Sequence, residues 1–164
     1  MVRFGICAKQ LAIKLRRRKH NEQMEYLVGI LLSLGTIVFA AVIGLARERS
    51  FFATVAFVVA TYYVLFAVMG ASRRTLLIEI AIAGGFILFA TLGFKGSLWL
   101  VAAALIGHGV FDLIRSGLIA NPGVPHWWPG FCMAFDVIFG GWLVLQLLQR
   151  KNFPHPGTMD RRTG

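Results

Sequence analysis

His108, Asp112 and Arg115 stand at i, i+4 and i+7 in the run GHGVFDLIR and share one face if that run is helical. Asp136 follows in a second apolar run, FCMAFDVIFG, and Glu79 precedes them in a third, LLIEIAIAG. An imidazole and carboxylates on facing helices can hold a divalent metal, with His108, Asp112 and Asp136 as ligands and Glu79 completing a mixed nitrogen and oxygen shell. The same groups can hold a proton or a polar ligand, His108 being the side chain able to change charge near neutral pH. A blander account has them satisfy one another. Arg115 would then pair with Asp112 or Asp136, and His108 would bond to Glu79 or to a backbone carbonyl. Arg115 is also placed to snorkel to the membrane interface. With Cys7 and Cys132 as the only cysteines, no disulfide framework and no multi-cysteine zinc cluster can form, and Cys132 reads as a small packing residue.

The surroundings of these groups are apolar. The chain has 164 residues, 57% of them hydrophobic and 15% charged, with a mean hydropathy of +0.71. That is too apolar for an ordinary soluble domain and makes the lipid bilayer the expected solvent. The formal net charge of +10 is carried by the two ends and the short connectors rather than by an exposed face. Anionic lipid head groups, not nucleic acid, are therefore the expected electrostatic partner.

Five apolar runs, over 26–46, 51–70, 76–94, 97–116 and 130–149, each approach the roughly 20 residues that a helix needs to cross about 30 Å of hydrocarbon. The expected fold is all-α: a polytopic membrane protein of about five transmembrane helices in an antiparallel bundle, because the connectors after the first three runs are too short for anything but hairpins. The domain reading is a basic segment over 1–25, interfacial or not translated, a transmembrane domain over 26–149, and a polar tail over 150–164. Alternating helix directions bring Glu79, Asp112 and Asp136 to similar depth on one side, with His108 about one turn deeper. One polar pocket facing the bundle interior is the economical arrangement, since ionisable groups inside a membrane usually turn inward and mark function.

The fourth connector, with Pro122, Pro125 and Pro129, cannot continue a helix. Trp127 and Trp128 fit an aromatic belt at the head groups. A sharper reading makes His126, Trp127 and Trp128 a lid that folds back toward Asp112 and Asp136. Small residues at helical spacing, Gly29 and Ser33, Ala40 and Gly44, Ala81 and Gly85, Ala103 and Gly107, permit close helix packing, within the bundle or in a homo-oligomer or larger membrane complex. Mid-span Tyr62 and Tyr63 need hydroxyl partners, and one ring can reach the pocket from below. Counting basic residues gives ten against seven in favour of an inside N-terminus, whereas a start at Met24 reverses the balance to three against seven.

The stretch from Arg74 through Leu143, with Glu79, GHGVFDLIR and VPHWWPGFCMAFDVIFG, resembles a family of small bacterial integral-membrane proteins of unknown function. The residues that carry the likeness are His108, Asp112, Pro125, Trp128, Pro129, Cys132 and Asp136. The resemblance implies a multi-span fold in a bacterial inner membrane and assigns no activity. A looser likeness to metal-dependent membrane lipid hydrolases rests on intramembrane His and Asp alone. Three functions stay open: a membrane protein whose pocket binds a ligand, ion or proton; a membrane-embedded metal-dependent enzyme acting on a lipid or isoprenoid-like substrate; and a structural or accessory subunit.

Overall fold

The computed structural model describes residues 23–115 and 117–152. Most of the basic N-terminal segment and most of the polar tail lie outside the described residues. Among those described, the chain is all-helical, with five helices each long and apolar enough to cross a membrane: α1 (Gln23–Val42), α2 (Arg49–Gly70), α3 (Arg73–Lys95), α4 (Leu98–Arg115) and α5 (Trp128–Asn152). They form a multi-pass membrane bundle, antiparallel where short connectors join them.

Several ends fall away from the positions read from hydropathy, for local reasons. α1 stops at Val42 rather than running to residue 46, because Gly44 takes a left-handed conformation (φ 86°) and Leu45–Arg47 form one 3-10 turn. α3 starts three residues early, at Arg73, where the Ser72 hydroxyl accepts from the Thr75 amide as an N-cap. α5 begins at Trp128 rather than Gly130, placing Pro129 in the first turn, where its missing N–H costs no helix bond. At the other end of α3, Arg49 donates to the carbonyls of Gly93, Phe94 and Gly96, satisfying groups that the helix leaves without partners. Apolar scanning sees none of these caps.

α4 is the most enclosed helix and α1 the least. Among α2 to α5 the α4–α5 interface is the most extensive, and glycines set its closeness. A Cβ at Gly140 would stand 2.8 Å from Ile106 Cγ1, and one at Gly109 would stand 3.0 Å from Asp136 Cβ. α1 docks on α5 in the same manner, since a Cβ at Gly29 would run into the Phe131 carbonyl and lie 3.0 Å from Ala134 Cβ. The small residues Gly29 and Ser33 therefore serve packing inside the bundle, and Ser33 is fully buried. Ala81 and Gly85, by contrast, face outward.

The interior has two halves. Around the α2 start, the α3 end and the α4 start lies a dry cluster including Phe52, Ala56, Ala90, Val101, Leu105, Phe139 and Leu143. Phe135 and Phe139 stack at 5.7 Å, and Phe52 and Trp142 complete the aromatic wall. The other half, toward the α4 end and the α5 start, holds the buried ionisable groups. α4 contributes to both, with Val101 and Leu105 in the apolar half and His108, Asp112 and Arg115 in the polar one.

Candidate functional site

Glu79, His108, Asp112, Arg115 and Asp136 are all at most 3% exposed. Helix phase accounts for the cluster. On α4, the i, i+4, i+7 spacing turns His108, Asp112 and Arg115 to the interior, and Gly109 beside them lets α5 come close enough to present Asp136. α3 contributes Glu79 and α2 contributes Tyr63.

The groups divide into two adjacent centres rather than one pocket, and the pairings differ from those expected. In the outer centre Arg115 makes its ion pair with Glu79, not with Asp112 or Asp136. Asn121 from the connector donates to Glu79 Oε1 at 3.1 Å and to the Tyr63 carbonyl at 3.2 Å. The guanidinium lies 3.7 Å over the Tyr63 ring, a cation–π contact that covers its flat face. Glu79 is thus engaged by Arg115 and Asn121, and does not join the His108 cluster.

In the inner centre His108 Nδ1 is 2.7 Å from Asp136 Oδ2 and 3.7 Å from Asp112 Oδ2. The shorter separation is a hydrogen bond, so a proton sits between imidazole and carboxylate. Phe86 meets the imidazole edge-to-face at 5.0 Å and Tyr63 lies 6.0 Å away, walling the ring with aromatics. By strict hydrogen-bond geometry both oxygens of Asp112 and Oδ1 of Asp136 lack a partner, although the Tyr63 hydroxyl and the Cys132 thiol stand beside Asp112 as donors within reach. Carboxylate oxygens sealed from water and left without a partner are costly, by about 1–3 kcal/mol for even an uncharged group.

One donor atom from each of His108, Asp112 and Asp136 lies within 4.8 Å of the other two. Two donors bonded to one zinc at about 2.0–2.2 Å stand no more than about 4 Å apart. Both His108–Asp distances already meet that limit. Among the described residues, His126 is not in this group. It is exposed and instead lines a cavity of about 560 Å³ beneath the connector, together with Arg115, Asn121, Pro125 and Pro129. Trp127 is 48% exposed, whereas Trp128 packs on Tyr62 and Phe66, each at 4.9 Å.

Two participants take roles that the sequence reading did not give them: Asn121, read as a turn residue, and Cys132, read as a packing residue. Asn121 reads as a turn residue before Pro122, and it does bond locally, its Oδ1 accepting from the Gly123 amide. Its amide group reaches Glu79 because Gly123 packs directly on the Phe66 backbone of α2. Cys132 borders Asp112 on one side and, on the other, an apolar groove of about 280 Å³ between α1, α2 and α5. Comparison with family models, curated proteins and solved structures finds no match for this chain.

Proposed function

We propose that this is an integral membrane protein, of the bacterial inner membrane, whose function centres on a divalent cation held within the bundle by His108, Asp112 and Asp136. The observation that carries the reading is the set of buried Asp112 and Asp136 oxygens, three of them outside hydrogen-bond geometry, gathered around one imidazole nitrogen. Two carboxylates and a neutral imidazole in a dry interior require a compensating positive charge, which a divalent ion or protons can supply. One nitrogen and several oxygen donors suit zinc, manganese or iron(II) better than a soft ion. The ligands must be deprotonated to bind, so the metal displaces the proton now shared by His108 and Asp136.

Elemental analysis of full-length protein purified in detergent without chelator tests this. About one equivalent of a divalent transition metal per chain is expected, lost in both His108→Ala and Asp136→Asn. A chain that folds, binds no such metal when dialysed against zinc or manganese, and keeps its stability in those variants would remove the proposal.

A second reading is favoured by one specific feature. The apolar groove puts room for a hydrocarbon chain against Cys132, whose other side borders Asp112. Three protein ligands leave a zinc position open for water or substrate, the pattern of catalytic rather than structural sites. A metal-dependent enzyme acting on a lipid or isoprenoid-like substrate fits that arrangement. Narrowing the groove with Val58→Trp would then lower turnover of a long-chain substrate while leaving metal content unchanged.

A further inference from the structure

The cavity beneath the fourth connector is separate from the three-donor cluster and has opposite chemistry. Among the described residues its lining contains no acid: Arg115 forms part of the wall, with Asn121, His126 and apolar side chains around it. Arg115 is 2% exposed; its Nη2 is engaged by Glu79, and its Nε has no hydrogen-bond partner. A buried guanidinium with an unsatisfied donor, on a residue that lines a cavity, marks a place for an acceptor. Its energetic weight exceeds that of a neutral donor, because hydrogen bonds to charged groups are the stronger ones.

Three further features favour a negative acceptor. His126 and Pro129 place the start of α5, a 25-residue helix, at the cavity edge, so its positive dipole end adds to the field. The start of α3 is tied to the same connector by the Thr75 hydroxyl, which donates to the Ala120 carbonyl, and this brings exposed Arg73 and Arg74 to that side of the bundle. The acids on the same side do not line the cavity. Glu79 lies under Arg115, and Glu25 is set against Gly130. Asn121 orients the wall rather than the ligand, since its amide group already donates twice.

We infer that the connector cavity binds a phosphate-bearing anion through the Arg115 guanidinium and the His126 imidazole, at the head-group level of the membrane. About 560 Å³ is within the size range of small-molecule sites and larger than one phosphate requires, so a substituted phosphate fits. A phospholipid head group and a soluble phosphate ester offer the same recognised chemistry. The inference does not depend on the metal proposal.

The test uses the full chain in neutral-lipid nanodiscs and measures thermal stabilisation by added phosphatidic acid and, separately, by inorganic phosphate. Arg115→Lys keeps a positive partner for Glu79 but removes Nε, and His126→Gln tests the mouth without touching the buried pair. Wild type should be stabilised by phosphatidic acid, with apparent affinity falling about tenfold or more in Arg115→Lys and several-fold in His126→Gln, as expected for losing one charge-assisted contact. Response to phosphatidic acid alone identifies a lipid head group as the source, and response to both probes identifies a general phosphate site. No response to either probe, or equal responses in wild type and in both variants, overturns the inference.

Discussion

The Glu79–Arg115 pair offers a direct quantitative check on how the polar half of the bundle is held together. Both side chains are 2% exposed, and their pairing ties α3 to α4 through the ion pair, to the connector through Asn121 and to α2 through the Tyr63 ring. Glu79→Gln leaves a guanidinium buried with no counter-charge, and Arg115→Met leaves a carboxylate buried with one amide donor. Each single change should destabilise the bundle by about 3–5 kcal/mol, the usual result of stranding one member of a buried pair. The double variant strands no charge. It loses the cation–π contact, about 0.5–2 kcal/mol, and weakens one amide hydrogen bond, about 1 kcal/mol. Its cost should therefore be about 1.5–3 kcal/mol, well below the sum of the singles, which amounts to a coupling of at least about 3 kcal/mol. Reversible unfolding in mixed micelles, followed by tryptophan fluorescence, gives all three values. Costs that add to within about 0.5 kcal/mol would refute the claim that these groups form one buried unit.

Three other outcomes follow from the same geometry. Gly109→Val inserts a branched side chain against Asp136 Cβ and the Met133 carbonyl, both about 3 Å from its first carbon; it should cost about 1–3 kcal/mol by overpacking and abolish metal binding, checked by unfolding and by elemental analysis. Tyr63→Phe keeps the ring under Arg115 and removes only the hydroxyl beside Asp112, so it should cost less than Tyr63→Leu, which should lose about 0.5–2 kcal/mol with the cation–π contact. Metal binding should release at least the proton shared by His108 and Asp136, and affinity should fall as pH falls. Calorimetry in two buffers of different ionisation enthalpy measures that proton count.

Much of this arrangement is legible in the sequence. Apolar run lengths give the five helices, and the i, i+4, i+7 spacing gives the polar face of α4, because both depend on helix periodicity alone. The pairing is not legible. Glu79, Asp112 and Asp136 look equivalent by depth, and only the rotation of α3 about its axis decides that Glu79 meets Arg115. That rotation is set by contacts such as Gly93 against Val101, where a Cβ would lie 2.7 Å from Val101 Cγ2, and no hydropathy pattern carries them. Asn121 is hidden for a different reason: a turn residue before proline needs no tertiary partner, so nothing in its local pattern points to Glu79. His126, plausible as a lid over the acids, instead borders the connector cavity because α5 starts two residues earlier than the apolar run does and holds the end of the connector at the helix entrance.

X-ray absorption at the metal edge of zinc-loaded protein tests the central claim most directly. A first shell of nitrogen and oxygen donors at about 2.0–2.2 Å, without sulfur, is predicted, with the imidazole scattering pattern lost in His108→Ala. A zinc–sulfur distance near 2.3 Å, an imidazole signal that persists in that variant, or no bound zinc at all would contradict it.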